Sequence, residues 1–99
     1  MTKTFKVGKH CVISKNVQFG ENVAIGHNCI IEDNVVIGDN SYIDSNTIIR
    51  SNVKIGENAF VGSNCIIGEY WMDFCLNKKV YEHQLVIGKN ALIRSGSII

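Results

Sequence analysis

Apolar and polar residues follow one another along this chain in units of six. From Val7 to Ile66 the sequence divides without a break into VGKHCV, ISKNVQ, FGENVA, IGHNCI, IEDNVV, IGDNSY, IDSNTI, IRSNVK, IGENAF and VGSNCI. The first position is always apolar, the fourth is Asn except at His10, and the fifth is small or β-branched. This period fits neither an α-helix nor a continuous strand. It indicates a short strand followed by a turn, repeated around a coil.

The phase of the repeat predicts which side chains form the core. Side chains two residues apart in a strand face the same way, so the fifth position of each unit and the first position of the next both point inward. The sixth position lies between them and points outward. Asn at the fourth position tolerates the left-handed backbone conformation that a tight turn needs. The pattern therefore predicts a solenoid whose apolar core forms by the stacking of successive coils.

These [Ile/Val]-Gly-x-Asn-x-x units resemble the repeats of the bacterial hexapeptide-repeat transferases, and the resemblance extends over nearly the whole chain. It implies an all-β fold, a single-stranded left-handed parallel β-helix in which three units make one coil, with about four to five coils here. Positions about eighteen apart would then stack in columns. One outward column would carry Val12, Ile30, Ile48 and Ile66, and another Ala24, Tyr42 and Phe60. In the turns, Glu32 would lie over Arg50, and Lys15 over Asp33.

The repeat is interrupted once. Regular hexads occupy residues 7–70, the segment WMDFCLNKKVYEHQ at 71–84 has none, and the repeat resumes at 85–99. Because Ile87 follows Ile67 by twenty positions instead of six, fourteen residues are inserted and the columns stay in phase. We therefore expect one β-helix domain over residues 1–99, with an extruded loop at 71–84 and no C-terminal cap.

Most of the polar and aromatic side chains that fall outside the repeat lie in this loop. His83 is the candidate catalytic residue, a general base that Glu82 or Asp73 would orient, because imidazole titrates near neutral pH. The alternative is an ordinary solvent-exposed loop histidine. His10 and His27 occupy turn positions, and we interpret both as solvent-facing substitutions.

Cysteine usage and charge indicate which cellular compartment and which partners to expect for the protein. Cys11, Cys29, Thr47 and Cys65 would share one inward column, where parallel side chains disfavour a disulfide and reduced thiols are expected. The sequence has no secretion signal and no long apolar run, which favours a cytoplasmic protein without a membrane segment. The net charge of +1, with dispersed charged residues, favours no nucleic-acid partner.

The family resemblance also implies a function. Transferases of this type move an acetyl group from acetyl-CoA to a hydroxyl or amine of a sugar, with a histidine as base and acetyl-CoA between adjacent β-helices. Acetyl-CoA would be a co-substrate, no metal is expected, and the cofactor-binding residues are not identified. The implied homo-oligomer is a trimer, formed through Val12, Ile30, Ile48, Ile66 and/or Tyr42 and Phe60.

Two alternatives stay open. One is a non-catalytic β-helical assembly module, because family members that share the closing IRSG stretch typically continue for several coils and generally carry the base there. A truncated chain would keep the scaffold and the loop without a complete active site. The other is a zinc enzyme resembling the γ-class carbonic anhydrases. The pair of histidines five residues apart that is typical of that class has no counterpart here.

Overall fold

The computed structural model describes residues 5–68 and 84–99, which form short strands and no helix. Each strand is two or three residues long, because a turn follows the first-position apolar residue of every hexad. The strands are β1 (Phe5–Val7), β2 (Val12–Ile13), β3 (Gln18–Phe19), β4 (Val23–Ile25), β5 (Ile30–Ile31), β6 (Val36–Ile37), β7 (Tyr42–Ile43), β8 (Ile48–Ile49), β9 (Val53–Ile55), β10 (Phe60–Val61), β11 (Ile66–Ile67), β12 (Leu85–Ile87) and β13 (Leu92–Ile93).

Every third strand belongs to the same sheet. Sheet A contains β1, β4, β7, β10 and β13, sheet B contains β2, β5, β8 and β11, and sheet C contains β3, β6, β9 and β12. All paired strands run parallel. The described chain is thus a three-sided parallel β-solenoid, which confirms the predicted fold class.

The predicted outward columns are present. On sheet B, pairing joins in succession Val12, Ile30, Ile48 and Ile66. Across the insertion, Leu92 of β13 pairs with Phe60 of β10, so the extra residues leave the register unchanged. The predicted loop at 71–84 falls, apart from its last residue, outside the described residues.

Two side chains of each hexad, at the first and fifth positions, build the core. In β9, Val53 and Ile55 are buried while Lys54 between them is exposed, which is the predicted alternation. Burial of such aliphatic side chains contributes roughly 1.5–3 kcal/mol each, before the entropy of ordering the chain is subtracted. The largest fully buried side chains are Ile31, Ile37, Ile43, Ile49 and Ile67.

Asparagine and glycine serve different purposes in the turns. Among the described residues, His10 and all fourth-position asparagines except Asn16 have φ between 56° and 65°, which confirms the role predicted for this position with one exception. Glycine at the second position is needed for space. A Cβ built on Gly38 would lie 2.6 Å from the backbone nitrogen of Glu57 on the adjacent coil. The close approach of two coils, and not a positive φ, therefore requires glycine here.

The inward column of small residues hydrogen-bonds to backbone carbonyls of the next turn. The Cys29 thiol donates to the Asp44 carbonyl at 3.2 Å, and the Thr47 hydroxyl donates to the Gly62 carbonyl at 2.8 Å. These bonds satisfy carbonyls that turn away from the strand ladders. The described cysteines are free thiols, as predicted: Cys11, Cys29 and Cys65.

Candidate functional site

Two of the three outer faces of the solenoid are apolar. On sheet B, Val12 and Ile98 are each 64% exposed at the two ends of the column, and Ile30 is 39% exposed. On sheet A, exposure of the outward side chains rises from 39% at Tyr42 to 71% at Leu92. Sheet C is mixed, since its outward residues are Gln18, Val36, Lys54 and Val86. The apolar surface therefore lies on sheets A and B.

The turns that join sheet A to sheet B form one edge between these two apolar faces. We call it the A/B edge; it comprises residues 8–10, 26–28, 44–46, 62–64 and 94–96. Of the described histidines, both His10 and His27 lie on it. It is therefore the place where apolar surface and titratable side chains meet.

Side chains on the A/B edge bind the backbone of the neighbouring coil. The backbone N–H of Lys9 donates to His27 Nδ1 at 2.8 Å, and the backbone N–H of His27 donates to Ser45 Oγ at 2.9 Å. Farther along, the backbone N–H of Ser63 donates to Ser95 Oγ at 3.1 Å. The third-position side chains of His27, Ser45 and Ser95 thus each take up an N–H that the strand ladders leave without a partner.

The contact made by His27 fixes its tautomer. Because Nδ1 accepts a hydrogen bond, the neutral imidazole carries its proton on Nε2. In this orientation His27 joins two neighbouring coils through its Nδ1. His10 has φ of 61° in its turn and is exposed. The predicted solvent-facing placement of both histidines is confirmed, while the contact of His27 with Lys9 was not predicted.

Tyr42 and Asp44 add a phenol and a carboxylate at the same edge. The Tyr42 hydroxyl donates to Asp44 Oδ1 at 3.4 Å, and the same oxygen accepts the backbone N–H of Ser45 at 2.7 Å. The negative charge of Asp44, followed by partial burial, raises the pKa of Tyr42. The ring of Tyr42 stacks on that of Phe60, with centroids 5.3 Å apart and planes inclined by 5°.

Two of the described thiols, Cys29 and Cys65, are buried in the inward column. Burial raises the pKa of Cys29 above its usual value of 9.0, and backbone hydrogen bonds from the next coil only partly oppose this. Cys65 is fully buried and donates to the carbonyl of Arg94 at 3.2 Å. These two side chains therefore serve as packing and hydrogen-bonding groups of the core.

The predicted catalytic residue is not among the residues that the structure describes. His83 and its proposed partners Glu82 and Asp73 fall outside the described residues, so the assignment of the general base stays a prediction. Within residues 5–68 and 84–99, no three His, Cys, Asp or Glu side chains come together in a way that could hold a metal ion. No helix in this part of the chain is long and apolar enough to cross a membrane.

The sequence contained signals for the contacts of the A/B edge. Lys9, His27 and Ser45 are spaced by eighteen residues, which places each directly next to the following one in the solenoid. Asp44 occupies a second position where Gly8, Gly26 and Gly62 stand in the same column. A departure from the repeat at a position that ordinarily requires glycine marks a residue with a contact of its own.

Comparison with known proteins identifies the repeat. A family model described as bacterial transferase hexapeptide (six repeats) matches residues 6–38 and 34–69. Neither the comparison with curated proteins nor that with solved structures gave a significant match.

Proposed function

The chain belongs to the bacterial hexapeptide-repeat transferase family, and on this premise we propose that it is an acyltransferase that uses acetyl-CoA. The observation that carries the proposal is the family match over residues 6–69, which covers an unbroken series of hexads. The acceptor is a hydroxyl or amine of a sugar. The fold by itself does not determine the reaction, so the proposal depends on the family and on direct assays.

The proposed reaction is a direct acyl transfer. The acceptor oxygen or nitrogen attacks the thioester carbonyl, and a base removes the acceptor proton as the new bond forms. Backbone N–H groups stabilise the negative charge on the carbonyl oxygen. The carbon–sulfur bond then breaks, and coenzyme A leaves as the thiol after taking up a proton. We propose His83 as the base, and no metal takes part.

The proposed active form is a homotrimer, with the aliphatic column of sheet B in the contact. A continuous outward line of isoleucine and valine is more apolar than an isolated surface residue and is typical of an interface. Acetyl-CoA would bind between adjacent solenoids, so assembly would be a condition of activity. The free thiols of the described cysteines support a reducing, cytoplasmic setting.

The activity is tested by binding and turnover. Calorimetry with acetyl-CoA should give saturable binding, and thioester loss should occur with at least one sugar in a panel of acceptors. His83→Ala should lower kcat by about 10²–10⁴-fold if His83 is the base. His27→Ala is the matched control, and it should keep most of the activity because its Nδ1 is engaged with Lys9. Loss of turnover in His27→Ala alone would reassign the base.

The interface is tested by sedimentation. Ile30→Lys combined with Ile48→Lys places two charges in the centre of the sheet B column and should convert the trimer to monomer. Val36→Lys is the control, because Val36 also points outward but on sheet C, next to Lys54. An unchanged mass in the double variant would exclude the sheet B column as the contact.

A second candidate is a non-catalytic assembly module. It is favoured by the contacts of the A/B edge, where His27 and Ser45 hold neighbouring coils together and leave no described histidine as an oriented base. This candidate predicts that the protein still forms the trimer in sedimentation but binds no acetyl-CoA in calorimetry. The calorimetry and the sedimentation experiment together therefore separate the two functions.

A further inference from the structure

A histidine side chain joins the first two coils of the solenoid at the A/B edge. The first coil comprises β1 to β3, and its turn at residues 8–10 lies next to the turn at 26–28. The backbone N–H of Lys9 donates to His27 Nδ1 at 2.8 Å, and the Lys9 carbonyl accepts the backbone N–H of Asn28 at 2.9 Å. Both backbone polar groups of Lys9 are thus held by the second coil.

The imidazole ring lies close against the backbone that it binds. A Cβ built on Gly8 would lie 2.7 Å from His27 Nδ1. Two ladder bonds flank this contact: the N–H of Gly8 donates to the Ile25 carbonyl, and the N–H of Val12 donates to the Cys29 carbonyl, each at 2.9 Å. A change at the ring nitrogen therefore acts directly on the turn of the first coil.

Other turns use an oxygen atom where this turn uses a nitrogen. Ser45 Oγ, Ser95 Oγ and Asp39 Oδ1 each accept the third-position N–H of the preceding coil. A hydroxyl does not titrate near neutral pH, and a carboxyl group retains acceptor capacity even when it is protonated. Imidazole changes its charge between about pH 5 and 8, and its protonated form is a donor at both ring nitrogens. Of these four side chains, His27 is the one that loses its acceptor in this range.

Charged groups on both neighbouring turns face His27. The turn of the preceding coil brings Lys9 and His10 next to it, and the turn of the following coil brings Asp44. On the same coil, Cys29 is buried in the core. Lys9 opposes a further positive charge nearby, and Asp44 favours it. Whichever way a protonated ring is turned, it presents N–H or C–H groups to Lys9 and no lone pair.

We propose that His27 makes the attachment of the first coil pH-dependent. Protonation turns Nδ1 into a donor that faces the N–H donor of Lys9, so this bond breaks and the turn at residues 8–10 loosens as the pH falls below neutral. The neutral ring restores the bond, so the change is reversible. Because the turn leads into β2, the row of Val12 is the part of the sheet B column that changes. The proposal does not depend on the proposed transferase reaction.

NMR of the full chain labelled with ¹⁵N follows the change directly. The Lys9 amide proton should move upfield between about pH 8 and 5, with the same midpoint as the ring protons of His27. Hydrogen exchange, corrected for the intrinsic rate at each pH, should show that the protection of the Gly8 and Val12 amides falls about twofold to tenfold, as expected for one lost hydrogen bond. The Ile48 amide, in the middle of the solenoid, is the internal reference and should not change.

Two variants assign the effect to one histidine. His27→Ser introduces the residue that accepts the same bond at Ser45 and Ser95, so it should keep the first coil attached and remove the pH dependence. His10→Asn introduces the residue typical of the fourth position and should keep the pH dependence. Circular dichroism at both ends of the pH range checks that each variant folds.

Three results would overturn the proposal. One is a Lys9 amide shift that does not follow the titration of His27. The others are a fall in protection that persists in His27→Ser and one that disappears in His10→Asn.

Discussion

Alanine substitution at two equivalent glycines should have opposite effects on stability. Gly38 and Gly88 both occupy the second position of a hexad on the edge between sheets C and A. A Cβ at Gly38 would lie 2.6 Å from the backbone nitrogen of Glu57 and 2.7 Å from the carbonyl carbon of Gly56. A Cβ at Gly88 would meet nothing within 4 Å. Comparing the two variants therefore measures the cost of the close approach between coils separately from the other properties of glycine.

The magnitude for Gly38→Ala follows from the hydrogen bonds beside the contact. Ordinary van der Waals contact begins at 3.4 Å, so the adjacent coil has to move by the difference from 2.6 Å, about 0.8 Å. The bonds from Gly38 N to Ile55 O and from Asn58 N to Asp39 O are each 2.8 Å long. Stretched by that distance, both exceed the 2.7–3.2 Å range of good hydrogen bonds. Loss of two such bonds costs about 1–3 kcal/mol, as overpacking generally does.

Gly88→Ala should be neutral or slightly stabilising. Its φ lies outside the left-handed region, so alanine fits without strain. Alanine also reduces the entropy of the unfolded chain, an effect worth about 0.4–1 kcal/mol. Urea unfolding of both variants, followed by circular dichroism at one protein concentration, measures the difference, which we expect to be about 1–4 kcal/mol. Equal midpoints for Gly38→Ala and Gly88→Ala would refute the close-approach argument.

Three further predictions concern single side chains. Thr47→Val should lower the free energy of unfolding by about 1–3 kcal/mol in urea, because it leaves the Gly62 carbonyl and the Cys65 N–H unpaired. Asp44→Asn should lower the pKa of Tyr42, measured by an NMR titration. In the unmodified protein the raised pKa keeps the phenol protonated in the folded state, so the free energy of unfolding should fall as the pH rises above 10.0. The fall should be smaller in the variant. Native-state alkylation with iodoacetamide, mapped by mass spectrometry, should spare Cys29, whose thiol is buried and whose pKa is raised; rapid labelling of Cys29 would contradict this.

The columns of the solenoid could be predicted from the sequence because the repeat period alone determines them. Given three hexads per coil, the stacking of Ile30 on Ile48 requires no knowledge of side-chain torsions. The insertion could be placed for the same reason, since Leu92 had to return to the column of Phe60. The strand spacing and the alternation of faces then decide which residues are buried.

The polar contacts could be predicted only in part. Glu32 and Arg50 form the expected ion pair at 3.2 Å. Lys15 and Asp33, expected to lie one over the other, form no ion pair within the described residues: Asp33 accepts a hydrogen bond from the Ser14 hydroxyl instead. A serine hydroxyl close to the carboxylate loses little rotamer freedom, whereas an exposed lysine must order a long side chain for a small gain. The column position of a side chain therefore predicts which residues lie next to it, but not which of them forms the hydrogen bond or ion pair.

Departures from the repeat are unevenly distributed over the three edges of the solenoid. On the edge between sheets C and A, the second position is glycine in every described coil, at Gly20, Gly38, Gly56 and Gly88. The A/B edge has Asp44 and Arg94 in its series, and the edge between sheets B and C has Ser14, Glu32 and Arg50.

These departures supply the side-chain contacts of the two edges on either side of sheet B. Asp44 bonds to Tyr42, and Glu32 bonds to Arg50. The hexads that follow β11 end at residue 70, and the insertion at 71–84 comes next in the sequence. Residues that break the repeat are retained only where another contact or function compensates for the lost regularity. Sheet B, with its aliphatic column, is thus bordered on both sides by edges at which residues depart from the repeat.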